Sequence, residues 1–235
     1  MSPPLEKRLS AFRPLNESEA AALVALGQKV KSAEKGNCLL ALDGVSDRTV
    51  LIHSGWAMIY RDLSDGRRQI MQFCLPGDLA DPCSLLLRRR DFSIAAISPM
   101  RYSEVTLDQL TSIIDEHPRL ALPLLWNEAR DIYLLRRHLL SIGRMTARER
   151  LSALFLELWE RLSVSGYLTN GSFVMHANQQ MLGDATGLSA IHVSRTLRKM
   201  ETDKLITRSG RNRISVDHQA LQKQIPDLFA IKPRV

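Results

Sequence analysis

Gln179-Gln-Met-Leu-Gly-Asp-Ala-Thr-Gly-Leu-Ser-Ala-Ile-His-Val-Ser-Arg-Thr196 is the stretch that decides the fold. Asn178, just ahead of it, can accept from the free backbone amides that open a helix, so a short helix is expected over Gln179–Ala185. Gly187 suits the reversal that follows, because glycine enters the left-handed region without a Cβ clash. Leu188 is expected to point inward, and Ser189 to cap a second helix over Ala190–Glu201. Leu182, Leu188, Val193 and Leu197 supply the apolar contact, and small Gly183 lets the two helices approach closely. This is the pattern of a helix-turn-helix.

The second helix leaves Ala190, Ile191, His192, Ser194, Arg195, Arg198 and Lys199 off its buried side. A helix fits the major groove of B-DNA, where Arg donates two bonds to guanine O6 and N7; Arg195 is the candidate for that contact. Ser194 and His192 are placed for neighbouring base edges, and Ile191 for a thymine methyl. Gln179, Gln180 and Arg198 suit phosphates, which fix register without reading sequence. Ser189 and Lys199 complete the candidate surface. A solvated surface helix pair would share much of this pattern, but the following segment separates the two. Lys204–Val216 reads as two short strands around Ser209-Gly210, a basic wing carrying Arg208, Arg211 and Arg213. From Gly187 to Arg213 there are seven basic and two acidic residues. A basic wing beside a basic helix favours binding to double-stranded DNA.

The charge of the whole chain agrees. Its 235 residues carry +7, yet residues 1–143 hold 18 basic against 17 acidic side chains and residues 144–235 hold 14 against 8. Such asymmetry suggests a nearly neutral domain joined to one that meets a polyanion. A composition of 45% hydrophobic and 24% charged residues is that of a globular protein rather than a disordered one. No apolar run approaches the roughly 20 residues that span a bilayer, and the N-terminus lacks the apolar core of a secretory signal. Cys38, Cys74 and Cys83 cannot pair completely within one chain and read as reduced thiols of a cytoplasmic protein.

Upstream, residues 36–106 alternate short apolar runs with Gly, Asp and Ser: Cys38–Leu42, Thr49–His53, Trp56–Tyr60, Gln69–Leu75, Ile94–Ile97 and Tyr102–Val105. That spacing predicts an all-β sandwich or barrel. Ser64-Asp-Gly-Arg67 is the best hairpin turn and Pro76-Gly-Asp78 a second turn. A short helix is expected near Asn16. From Asp115 the period becomes helical, with Asp115, Glu116 and Pro118 suited to a first turn. Leu125, Ile132 and Leu139 recur every seven residues, and Leu135 and Ile142 form a second row, a seam for pairing with another copy. Packing on the chain's own β-domain is the alternative for this helix. Pro123 is expected to kink it, so the straight section begins near Leu124, and Gly143 is expected to end it. Thr146-Ala-Arg-Glu149 opens another helix with a capping box. Three segments follow: a β-domain over 1–114, a dimerisation helix over 115–143 and a DNA-binding domain over 144–235.

These features together resemble the Crp/Fnr family of bacterial transcription factors. The likeness rests on Ser54-Gly-Trp-Ala57, Tyr60, Asp65-Gly-Arg67 and Pro76-Gly-Asp78, then on the heptad helix, then on Gly187-Leu-Ser-Ala-Ile-His-Val-Ser-Arg195. The resemblance implies an α+β chain: an N-terminal double-stranded β-helix of the cyclic-nucleotide-binding jelly-roll type, a long dimerisation helix and a C-terminal winged helix-turn-helix. It also implies a homodimer on a palindromic promoter site, with RNA polymerase as a partner.

Three departures shape the expectation. Cyclic-nucleotide-binding members carry Gly-Glu and a later Arg-Ser/Thr-Ala around the ligand; here Asp78 follows Gly77 and the later stretch is Arg90-Asp-Phe-Ser93, so no cyclic-AMP response is expected. The run Arg88-Arg-Arg90 reads as a solvated loop. Iron–sulfur members carry clustered N-terminal cysteines, absent here before Cys38. Many members have Glu where Ile191 stands, which predicts a half-site keeping the guanine read by Arg195 but differing beside it. No cofactor is expected. A haem held by His53, His117 or His138, or a thiol switch at Cys74 or Cys83, is the alternative sensor chemistry. An enzyme built on the β-barrel is the rival class, but neither a His-x-His pair nor a His-Glu-x-x-His motif supplies metal ligands, and no nucleophile motif is present.

Overall fold

In the computed structural model the described residues are 4–42, 46–210 and 212–225; Arg211 lies outside them. The chain divides into two compact units, Met1–Ile132 and Tyr133–Val235. The division falls inside the long helix, whereas the sequence suggested treating that helix as a segment of its own.

The first unit is built on two four-stranded antiparallel sheets. One has the order β1 (Val30–Ala33), β8 (Met100–Thr106), β3 (Arg48–Ser54), β6 (Leu79–Ala80). The other has the order β2 (Cys38–Leu40), β7 (Ser93–Ala96), β4 (Ala57–Asp62), β5 (Arg68–Cys74). Apolar residues from both sheets, including Leu40, Val50, Ile52, Ile59, Cys74, Ile94 and Met100, form one buried cluster. This is the expected double-stranded β-helix. β1 and β6 escape sequence reading because β1 buries only Ala33 and β6 is two residues long.

A second buried cluster joins the first sheet to helices. Leu51, Leu79 and Val105 meet Leu5 and Leu9 of α1 (Pro4–Ser10), Leu23 and Leu26 of α2 (Glu17–Leu26), Ile113 of a further helix and Leu120. Asn16 caps α2 through a full capping box with Glu19. α1 lies directly on the Pro76-Gly77-Asp78 turn, where a Cβ on Gly77 would fall 2.7 Å from the Pro4 carbonyl oxygen. A short α3 (Cys83–Leu87) follows β6 and ends with Arg88 in the left-handed region.

The region around Pro118 corrects the sequence reading. Asp115 and Glu116 do not open the long helix; they close α4 (Leu107–Glu116), which Thr106 caps with Gln109. Pro118 opens one turn of 3-10 helix, and α5 then runs from Ala121 to Arg144. Pro123 therefore sits in the first turn of α5, where its missing N–H has no acceptor to lose. Gly143 lies within the last turn rather than ending the helix.

α5 has two unlike faces. Asn127, Asp131, Leu134 and Ser141 are buried, whereas Leu122, Leu125, Ile132, Leu135 and Leu139 are exposed. Within the first unit, Arg8 of α1 is 1% exposed and holds α5: its Nε donates to Asn127 Oδ1 at 2.6 Å and its Nη2 to Asp131 Oδ1 at 2.9 Å. The same guanidinium forms an ion pair with buried Asp78.

In the second unit α6 (Ala147–Val164) buries Leu151, Leu154, Phe155, Leu158 and Leu162, the i, i+3, i+4 stripe read from the sequence, and Thr146 and Glu149 form its capping box. α6 also buries two charges. Glu157 Oε1 accepts from Arg161 Nη1 at 2.9 Å, and its Oε2 accepts from Nε2 of His138, near the end of α5, at 2.6 Å. Around α6 pack α7 (Gln179–Thr186), α8 (Ala190–Thr202), α9 (His218–Gln222) and an antiparallel sheet ordered β10 (Ile206–Ser209), β11 (Arg213–Val216), β9 (Ser172–Val174).

Candidate nucleic-acid interface

The reading head is built as its residues dictate. Asn178 Oδ1 accepts from Met181 N at 2.9 Å and starts α7. Gly187 ends it at φ +68°, a left-handed value that glycine adopts without strain. Gly183 is required by proximity rather than by φ: a Cβ there would lie 2.4 Å from the Leu188 carbonyl oxygen. Ser189 Oγ then accepts from His192 N at 3.2 Å and starts α8. Leu188 is half-buried.

α8 is two-faced. Val193, Thr196, Leu197 and Met200 are buried, while Ile191, His192, Arg195, Arg198 and Lys199 are exposed and Ser194 is half-buried. Thr196 avoids an unpaired hydroxyl by donating to the His192 carbonyl at 2.9 Å. Ile191 is 67% exposed, so its apolar side chain stands on the same face of α8 as Arg195 and Arg198. On α7, Gln179 is half-buried, and exposed Gln180 donates to Asp184 at 2.8 Å.

The wing differs from its sequence reading in detail. β10 and β11 pair in antiparallel register, with Ile206 opposite Val216 and Ser209 opposite Arg213. Arg208, read as part of the DNA-binding wing, forms a two-pronged pair with Glu201 of α8, Nε to Oε1 at 2.7 Å and Nη2 to Oε2 at 2.5 Å. That hydrogen bonding holds the Glu201 carboxyl below its ordinary range and raises the Arg208 guanidinium. Arg213 is half-buried and donates to Ser172 Oγ at 3.1 Å, tying β11 to β9. Arg208 and Arg213 thus brace the wing, while Arg195, Arg198 and Lys199 of α8 are exposed. Arg211 lies outside the described residues.

One residue of this head was not read from the sequence. Arg150, in the first turn of α6, donates from Nε to the Met145 carbonyl at 2.8 Å and from Nη1 to the Thr186 carbonyl at 2.9 Å. It satisfies a carbonyl at the end of α7 and fixes the turn before α8. Its signal was hidden because any first-turn Arg on an amphipathic helix looks solvated.

The exposed row on α5 holds four of the five predicted seam residues: Leu125 is 63%, Ile132 44%, Leu135 40% and Leu139 76% exposed. Ile142 departs from the row. It is half-buried, and its Cγ2 would lie 3.6 Å from a Cβ on Gly187, so it faces the turn of the reading head.

Residues 149–224 match the Crp-like helix-turn-helix domain, and residues 30–117 match the cyclic nucleotide-binding domain. The chain is 32% identical over 182 residues to the nitrogen fixation regulation protein FixK of Azorhizobium caulinodans, covering 77% of this chain and 73% of that one. The chain belongs to the Crp/Fnr family. Its relatives are transcription regulators, and the family places a DNA-binding helix-turn-helix behind a cyclic-nucleotide-binding-like domain. It is also 31% identical to the transcriptional activatory protein AadR of Rhodopseudomonas palustris, over 77% of this chain and 74% of that one. Among solved structures it resembles FixK2 of Bradyrhizobium japonicum, with a TM-score of 0.72 and 26% identity over 84% of this chain and 97% of that one.

The family's nucleotide site can be tested on the residues present, and they do not fit it. Asp78, which stands where nucleotide-binding members have Glu, is 1% exposed; its Oδ2 accepts from Leu75 N at 2.8 Å and it pairs with Arg8. Arg90 corrects the solvated-loop expectation: Arg88 and Arg89 are exposed, but Arg90 is buried and donates from Nη2 to Ser46 Oγ at 2.7 Å and to the Arg48 carbonyl. Both groups serve internal contacts.

The remaining sensor candidates have structural partners. His53 Nε2 lies 2.7 Å from Ser103 Oγ, and burial, with the Arg101 charge, lowers its pKa. His117 caps α4 through its backbone N–H, which donates to the Ile113 carbonyl, and the His138 ring meets Glu157. Cys74 is buried. Exposed Cys83 donates to Glu128 Oε2 at 3.4 Å, and burial of the sulfur, with the Glu128 charge, pushes the thiol up to about 11. So high a value keeps the reactive thiolate scarce at neutral pH. Among the described residues no helix is long and apolar enough to cross a membrane.

Proposed function

We propose that this regulator acts in the cytoplasm as a homodimer, with α8 of each copy in the major groove of a palindromic promoter site, and that it engages RNA polymerase there. The observation carrying the assignment is the exposed row Ile191, His192, Arg195, Arg198 and Lys199 on a capped helix that buries its opposite side. Two such helices related by a two-fold axis suit half-sites about 34 Å, one turn of DNA, apart. Arg195 donates to guanine, Arg198 and Lys199 hold phosphates, and Ile191 covers a thymine methyl. Ile191 is the specificity element, since apolar contact on a methyl replaces the cytosine contact that Glu makes in many members. The chain has no catalytic role in this reading.

Replacing Arg195 with Ala is expected to cost roughly 1–3 kcal/mol of binding and to relax preference at one base pair. Arg198→Ala is expected to weaken all sequences alike and to flatten the salt dependence by about one counterion. Titration of both variants against a selected palindrome and its single-base substitutions separates the roles. Equal, sequence-blind losses would mean that Arg195 touches only phosphate.

We infer also that no resident cofactor sets its activity, since the rings of His53 and His138, two of the three histidines considered as haem ligands, each serve a contact of the fold. The purified protein is then expected to lack a Soret band. A Soret band that shifts when His53, His117 or His138 is replaced would reverse this assignment.

A further inference from the structure

The first unit holds a cavity outside its β-roll, between the N-terminal helices and the sheet that contains β1 and β3. Leu5 of α1, Leu23 of α2 and Leu51 of β3 line it and are buried. Val24 and Val30, 43% and 41% exposed, stand at its mouth with exposed Gln28. Its volume is about 190 Å³. An apolar cavity of roughly 150 Å³ stays dry and takes up benzene, so this one has room for a single six-membered ring with a small substituent.

One wall is shaped around an imidazole. Ser103 Oγ donates to the Gly27 carbonyl at 2.8 Å, so in the 2.7 Å contact between His53 Nε2 and Ser103 Oγ the ring is the donor. This holds the ring against Gly27, where a Cβ would fall 2.8 Å from His53 Cε1. Gly27 has an ordinary φ of −94°, so the approach of His53, rather than the backbone conformation, favours glycine there. Burial, and after it the Arg101 charge, lowers the His53 pKa and keeps the ring neutral at neutral pH. Apart from His53 and Gln28, the described residues lining the cavity are apolar or glycine. A carboxylate or ammonium entering it would lose water without gaining a charged partner.

The cavity also touches the element that holds α5. α1 gives Pro4 and Leu5 to the lining, and Arg8, one turn on, donates to Asn127 and Asp131. An occupant seated against Leu5 therefore opposes any motion that lifts α1 from the sheet, and the same motion would pull Arg8 from α5.

We propose that this cavity is a ligand site for a small uncharged ring compound, of the size of phenol or toluene, and that α1 passes its occupancy to α5 through Arg8. Such a ligand enters and leaves between Val24 and Val30 and is not a resident cofactor. The site is independent of how the reading head meets DNA.

Titrating the full-length chain, methyl-labelled at Leu and Val, with phenol, toluene and benzoate tests the site by nuclear magnetic resonance. Saturable shifts at the Leu5, Leu23, Val24 and Leu51 methyls are expected for the two uncharged rings, with dissociation constants on the order of 0.1–1 mM. Benzoate is expected to bind at least about tenfold more weakly. No saturable shift at these methyls, or benzoate binding as tightly as phenol, overturns the proposal. Shifts confined to Leu40 and Val50, which pack inside the β-roll, overturn it as well. Val24→Trp, a change at an exposed position, is expected to close the mouth and weaken phenol binding about tenfold or more while the Leu40 and Val50 signals stay in place; unchanged affinity counts against the site. Amide hydrogen exchange reads the passage to α5. Openings that release the ligand slow by 1 + [L]/Kd, about tenfold at a phenol concentration ten times Kd. That slowing is expected in α1 and at residues 127–131 of α5. Slowing in α1 with none at 127–131 overturns the coupling through Arg8.

Discussion

Arg8→Ala is expected to destabilise the N-terminal unit by about 3–5 kcal/mol, the cost of leaving buried charge without its partner. Arg8 is 1% exposed and sits among Asp78, 1% exposed, Asp131, 9% exposed, and Asn127, 2% exposed. Truncation leaves two carboxylates facing one another across a cavity. Asp78 keeps its bond from Leu75 N but loses the Arg8 guanidinium, and Asn127 Oδ1 loses the Nε donor. The loss is larger than for any exposed pair of this chain, such as Arg67 with Asp65, because water screens those charges. Urea unfolding of the full-length chain checks it: the midpoint falls while the slope is kept. Arg8→Met combined with Asp78→Asn and Asp131→Asn is expected to recover much of the loss, since it removes the charges together rather than orphaning two of them. A loss below about 1 kcal/mol for Arg8→Ala would show that water reaches the cluster.

Arg8 also marks the limit of what the sequence disclosed. The helix-turn-helix was legible because its signals are local: a cap at Asn178, a left-handed glycine at Gly187 and a second cap at Ser189 lie within twelve residues. The strands Arg48–Ser54, Ala57–Asp62 and Arg68–Cys74 were legible because each is bounded by a turn whose chemistry is plain. What stayed hidden depends on partners far along the chain. Arg8 meets Asn127 and Asp131 more than a hundred residues away, and Arg90 looks like the rest of its arginine run until Ser46 and the Arg48 carbonyl surround it. Charge counting met the same limit in the wing. It registers the excess of basic residues there but not that Glu201 engages Arg208, or that Asp203 engages Arg148 from outside the counted stretch. Among the described residues the cationic surface is therefore narrower than the count implied, with Arg195, Arg198 and Lys199 of α8 exposed. α4 was missed although Leu107, Leu110, Ile113 and Ile114 recur at helical spacing behind the Thr106–Gln109 capping box, because Asp115 and Glu116 read as the opening of the next helix.

The second large effect is expected at the other end of α5. Glu157 is 4% exposed, with Arg161, 2% exposed, one turn away on the same helix and His138 reaching it from α5. Burial by itself pushes the Glu157 carboxyl up. His138, and after it Arg161, outweigh burial and hold it at about 2, against 4.5 for an ordinary glutamate. A depressed carboxylate stabilises the fold above its unfolded-state pKa, and that stability disappears as pH falls through the folded-state value. The contribution of Glu157 is thus full at neutral pH, erodes below about pH 4.5 and is gone near pH 2, with a size of roughly 3 kcal/mol. Glu157→Gln is accordingly expected to destabilise the C-terminal unit by about that amount at pH 7 and to lie progressively closer to wild type as pH is lowered, read by calorimetry at each pH. Glu157→Ala goes further, because it also removes the oxygen that accepts from Arg161 Nη1 and leaves a cavity, and about 3–5 kcal/mol is expected. Glu157→Leu with Arg161→Met restores most of the stability but not the bond to His138. That double variant separates two roles of the cluster. If DNA affinity returns with stability, the cluster serves folding alone. If stability returns and affinity does not, the His138–Glu157 bond is what aligns the end of α5 with the helix that carries the reading head.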